Sequence, residues 1–177
     1  MIESSYWKKD LLLHAKRLKT VKTPKRWSEK LVVNFEKELI FSFFCIRKLF
    51  ETYKVSEKLR KYRANVFCYA PTGKKITWMN QWDIDEIYDL QKERKATKDI
   101  IFLANQLIHS CTLFAYREKD KNWGGVFACS DFERNKTIYR IPVKEIINIF
   151  ELVGNDYPSS MTMKWDTKKD DYTIKTK

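Results

Sequence analysis

Residues 29–53 constrain this chain more than any other stretch. Leu31, Phe35, Leu39, Ser42, Ile46, Leu49 and Tyr53 recur at the three-and-four spacing of one helical face, with Val32, Phe43 and Phe50 beside them. Across the middle, Ile40, Phe41, Phe44 and Cys45 extend the apolar surface around the whole circumference. A helix wet at both ends and apolar around its waist is expected at the centre of a domain, wrapped by the rest of the chain. Ser28 is placed to cap it, and Glu29 falls in the first turn, where a negative charge is favourable.

The flanking segments supply the layers. Tyr6, Leu11, Leu12, Ala15 and Leu18 form a narrow apolar face on a helix from residue 5 to about 19, and Pro24 interrupts the connector after it. Ser56 is placed to cap a short basic helix through Arg63. The period then changes from 3.6 to two. Residues 65–69 and 76–79 read as strands joined by the turn Pro71-Thr72-Gly73-Lys74. Asp83 opens a short helix through Leu90, a polar connector follows, and Thr97 can cap a helix from Lys98 to His109. Strands follow at 112–117, 125–130 and 137–141. A helix runs from Pro142 to Val153, with Gly154 and Pro158 as stop signals, and 161–165 with 172–174 form a final hairpin.

Helices first and mostly antiparallel strands later give the α+β class: a long central apolar helix with flanking helices packed on a sheet built largely from the C-terminal half. With 177 residues, one domain is expected, comprising a basic helical arm and connector (1–27) and a core (28–177). No stretch approaches the roughly 20 apolar residues of a membrane span. Cys45, Cys68, Cys111 and Cys129 are scattered in apolar segments, as in a reduced compartment, so a cytoplasmic protein is expected.

The formal net charge is +12, from 35 Lys and Arg against 23 Asp and Glu. Residues 1–30 hold nine basic side chains against three acidic, and 54–75 hold seven against one. Such charge attracts polyanions. The leading expectation is non-enzymatic nucleic-acid binding. Lys8, Lys9, Lys16, Arg17, Lys19, Lys22, Lys25 and Arg26 form one set of phosphate contacts, and Lys58, Arg60, Lys61 and Arg63 a second. Trp78, Trp82 and Trp123 lie near basic stretches, where rings can stack on bases, and Trp123, beside two glycines in a turn, is expected to be the exposed one. The basic arm also suits an adaptor that docks on an acidic protein partner, with Leu11, Leu12, Ala15 and Leu18 as an exposed stripe.

Catalytic motifs are sparse. The four glycines form no phosphate loop or dinucleotide fingerprint, and no two cysteines have zinc-site spacing, so neither cofactor nor metal is expected. Asp85 and Asp89 would share a helical face, and Asp131 and Glu133 follow a strand. Only His14 and His109 can serve a histidine-dependent site. His14 is expected at the surface. His109 and Asn105, four residues apart on an otherwise apolar helix, must bond each other or meet a partner. His109 is the candidate general acid or base.

The run Ala104-Asn105-Gln106-Leu107-Ile108-His109 resembles the Arg-Asn-x-x-x-His motif of the HEPN ribonucleases, helical bundles of toxin and antiviral systems. The likeness covers six residues, and Ala104 stands where the family has its arginine. The resemblance implies a nuclease of toxin or defence type with His109 and Asn105 in its site, lacking a cation for the charged transition state. Such a nuclease requires His109 to face a cleft.

Overall fold

The computed structural model describes residues 3–20, 28–119 and 122–177. Helix α1 (Ser5–Thr20) leads into α2 (Glu29–Glu51), α3 (Glu57–Arg60) and strand β1 (Arg63–Tyr69). Then come α4 (Ile84–Ile87), β2 (Arg94–Asp99) and α5 (Ile100–Ile108). The order closes with β3 (Ser110–Arg117), β4 (Trp123–Ser130), β5 (Ile138–Pro142), α6 (Val143–Asn155), β6 (Met161–Asp166) and β7 (Asp171–Thr176). Five strands form one antiparallel sheet in the order β2-β1-β5-β4-β3, and β6 and β7 form a separate hairpin. The class is α+β.

Alternating side chains of the sheet, Ala64, Val66, Leu113, Val126, Ala128, Tyr139 and Ile141, face the main core. Helices α5 and α6 cover that face, α2 packs on α5, and α1 packs on α6. Ser28 caps α2 by accepting from Leu31 N, and Ser56 caps α3 by accepting from Leu59 N.

Four expectations are corrected. First, α1 offers no exposed docking stripe along Leu11, Leu12, Ala15 and Leu18, because Leu11 and Ala15 are 1% exposed and belong to the main core. Second, α2 is not wrapped all round, since Phe41 and Phe44 stay exposed.

Third, residues 76–79 are not a strand. The partner of β1 is β2, expected to be a connector, and it pairs from Arg63↔Asp99 to Cys68↔Arg94. As an edge strand rich in Lys and Arg, β2 carries no apolar alternation, while its charge protects an open edge from further pairing. Residues 70–90 instead cross the outer face of the sheet, where Ile76, Ile84, Ile87 and Tyr88 bury against Tyr69, Cys129 and Ile138. Fourth, because β2 runs to Asp99, that residue and not Thr97 caps α5, its carboxylate accepting from Phe102 N at 2.7 Å.

Candidate functional site

The two basic stretches adjoin, but through a residue unable to contact phosphate. Lys8 is fully buried; its ammonium donates to the Lys54 carbonyl at 2.8 Å and to the Asp156 carbonyl, and lies 4.1 Å from the centre of the Tyr157 ring. Burial lowers its pKa from the ordinary lysine value. Its neighbour Lys9 is exposed, as are Lys16, Lys58 and Lys61. Arg17 pairs with Glu38 at 3.1 Å, Lys19 with Glu151 at 2.5 Å, and Arg63 with Asp99 at 3.9 Å. Arg60 donates to the Phe50 carbonyl and lies over the rings of Phe50 and Tyr53. Lys22, Lys25 and Arg26 lie outside the described residues.

Trp123 is only 5% exposed and stacks on Phe35, ring centres 4.1 Å apart and planes 13° apart. The ring expected to be exposed is therefore a core contact. Trp78 and Trp82 stand out in its place, at 78% and 55% exposure, with Met79 at 86%. Their turn is held from inside. Asn80 Oδ1 accepts from the backbone and hydroxyl of Thr77, Asn80 Nδ2 donates to the Lys75 carbonyl, and Gln81 Nε2 donates to the Trp78 carbonyl. Thr112 of β3 then donates to the Gln81 carbonyl at 3.0 Å, anchoring the turn to the sheet. Lys74, paired with Glu86, and Lys75 precede it.

His109 ends α5 as its C-cap and is exposed on a cleft of about 560 Å³. Asn105, Phe102, Asp131 and Glu133 line the same cleft with Arg47 of α2. Arg47 Nη1 lies 3.1 Å from His109 Nε2 and, since a guanidinium can only donate, is the donor of this contact. The Arg47 Nε also bonds Glu51 at 2.9 Å. The partner that His109 was expected to need is thus a cation from another helix. No sequence pattern announces it, because 62 residues separate the two. Asn105 Oδ1 is buried and finds no hydrogen-bond partner among the described residues.

The remaining candidates disperse. His14 is partly buried, its Nδ1 2.7 Å from Ser42 Oγ of α2. Helix α4 ends at Ile87, so Asp89 shares no helical face with Asp85 and pairs with Lys92 at 2.9 Å. Asp131 pairs with Arg134 at 3.0 Å and Glu133 with Lys136 at 3.1 Å. No helix among the described residues is long and apolar enough to cross a membrane. Comparison with protein-family models, curated proteins and solved structures finds no match to this chain.

Proposed function

We propose that the chain is a cytoplasmic nucleic-acid-binding protein and that residues 77–82 form its stacking element. The exposure of Trp78 and Trp82 on an internally hydrogen-bonded turn carries this reading. Large rings held out in water are unfavourable for a molecule on its own, whereas unpaired bases stack on them whatever their sequence. A turn already ordered loses little entropy on binding. Exposed Lys75, Lys9, Lys58 and Lys61 supply charge that releases counterions from a phosphate backbone.

The test is fluorescence anisotropy of a labelled single-stranded RNA and DNA, titrated with salt. Affinity is expected to fall steeply as salt rises, and Trp78→Ala with Trp82→Ala to weaken it by about 2–4 kcal/mol, roughly 30-fold or more. An unchanged affinity in the double variant would place binding elsewhere. No binding at low salt would sink the reading and leave an acidic protein surface as the partner of the basic charge.

A nuclease is the second reading, favoured by the Arg47–His109 pair. Arg47 brings to the histidine the cation that the motif-like run lacks at Ala104, and Asn105 lines the same cleft. In this reading His109 exchanges a proton with a ribose hydroxyl while Arg47 balances charge on the phosphate. Cleavage of the same RNA, followed on a gel, is expected to drop 10²-fold or more, to order of magnitude, in His109→Ala. RNA left intact by the unaltered protein rejects it.

A further inference from the structure

We infer that Cys111 and Cys129 form a reversible intramolecular disulfide, made by exchange with a small disulfide such as oxidised glutathione. The two residues lie on neighbouring antiparallel strands, β3 and β4, and their sulfurs stand 3.7 Å apart. A disulfide requires about 2.05 Å, so closure displaces the sulfurs by roughly 1.7 Å in total. Cys111 sits where the register slips between the Ser110↔Ser130 and Thr112↔Cys129 pairs. An irregular position of this kind gives its side chain and backbone more room to adjust than a regular ladder residue has.

The two thiols divide the work. Cys111 is half-buried and Cys129 fully buried. The hydrogen bond from the Cys129 thiol draws the Cys111 pKa down against the opposing effect of burial, and Arg134 adds to the lowering. The same contact, together with burial, pushes Cys129 up. Cys111 is therefore the attacking thiolate and Cys129 the resolving thiol. Cys111 attacks one sulfur of the external disulfide, forming a mixed disulfide and releasing one external thiol, which takes the Cys111 proton. Cys129 then attacks Cys111 Sγ, forming the internal bond and expelling the second external thiol, which takes the Cys129 proton. One external disulfide is reduced to two thiols as the protein dithiol loses two electrons and two protons.

Both candidate regions touch this pair. The Tyr88 hydroxyl lies 3.4 Å from Cys129 Sγ and donates to the Arg134 carbonyl, in the segment that walls the His109 cleft. Thr112, beside Cys111, anchors the tryptophan turn.

The test treats the full chain with excess oxidised glutathione, alkylates the remaining thiols, and maps tryptic peptides by mass spectrometry. The expected product is the peptide containing Cys111 linked to the peptide containing Cys129, lost on reduction with dithiothreitol. Cys129→Ser is expected to stop at a glutathione adduct on Cys111, and Cys111→Ser to leave Cys129 reduced. Wild-type protein that keeps both thiols alkylatable, accumulates only the adduct, or links Cys111 to any other cysteine overturns the inference, and this measurement on the unaltered chain needs no variant to fold.

Discussion

Gly125→Ala is expected to destabilise the fold by about 4 kcal/mol, the large end of single-substitution effects. Gly125 has φ +140°, a conformation that side chains rarely adopt, and it pairs with Pro142 of β5 and Tyr116 of β3. An added Cβ would run into the Ile141 carbonyl oxygen and meet Val143 N at 2.9 Å. Both obstacles are backbone, so no rotamer change relieves them; β4 and β5 would have to separate next to the start of α6. The adjoining Gly124 lies where the β3–β4 register shifts, and its missing side chain leaves room for the Tyr116 ring. Equilibrium urea unfolding checks this: at a slope of about 2 kcal/mol/M, the midpoint should fall by about 2 M. Gly73→Ala provides the contrast, because φ is +94° there but nothing lies within 4 Å of the added carbon, so only about 1 kcal/mol of backbone strain is at stake. Equal losses in the two variants would mean that β4 and β5 do not approach as closely as described.

Lys8→Ala is expected to cost about 3 kcal/mol, while Lys9→Ala stays within about 0.5 kcal/mol of the unaltered protein. The ammonium of Lys8 satisfies two carbonyls, at Lys54 after α2 and at Asp156 after α6, where α1 crosses them. Removing it strands both acceptors at a site closed to water and leaves a void beside Tyr157. The same junction is held by Asp156, whose carboxylate accepts from the backbone and hydroxyl of Ser56. Thermal unfolding of the two variants side by side is the measurement. A Lys9→Ala loss as large as that of Lys8→Ala would place the buried face of α1 on the wrong side.

These two lysines also show what could be read before the structure. By residue type they are alike, and a charge count places both on a phosphate-binding arm. By helical register they are not: Lys8 lies three residues before Leu11 and seven before Ala15, in line with the buried stripe. That signal was present in the spacing and was outweighed by the habit of lysine to stay wet. The long helix α2, the strands β3 to β5, helix α6 and the closing hairpin were legible because each carries its own period and stop signals. Strand β2 was not, since an edge strand facing solvent needs no apolar alternation. Trp123 misled because two glycines beside it suggest an open turn, whereas they allow close approach of strands. The Arg47–His109 pair joins two helices through packing alone, and nothing local to either residue specifies it.

The place of β5 has a consequence for how the chain reaches this state. It lies between β1 and β4, yet it follows β1 in the chain by about 70 residues. The β3–β4 hairpin can zip locally, on the microsecond scale of such units, while β1 and β2 pair across the longer connection of residues 70–93. Neither pair gains its inner neighbour until residues 138–142 thread the gap, so the sheet closes late and over a large loop. During synthesis, β1 leaves the ribosome with an unpaired inner edge and waits several seconds, at roughly 5–20 residues per second, for the strand that covers it. Charged β2, made well before β5, covers the outer edge first, which leaves the inner one as the surface that a nascent chain of this design must keep from wrong partners.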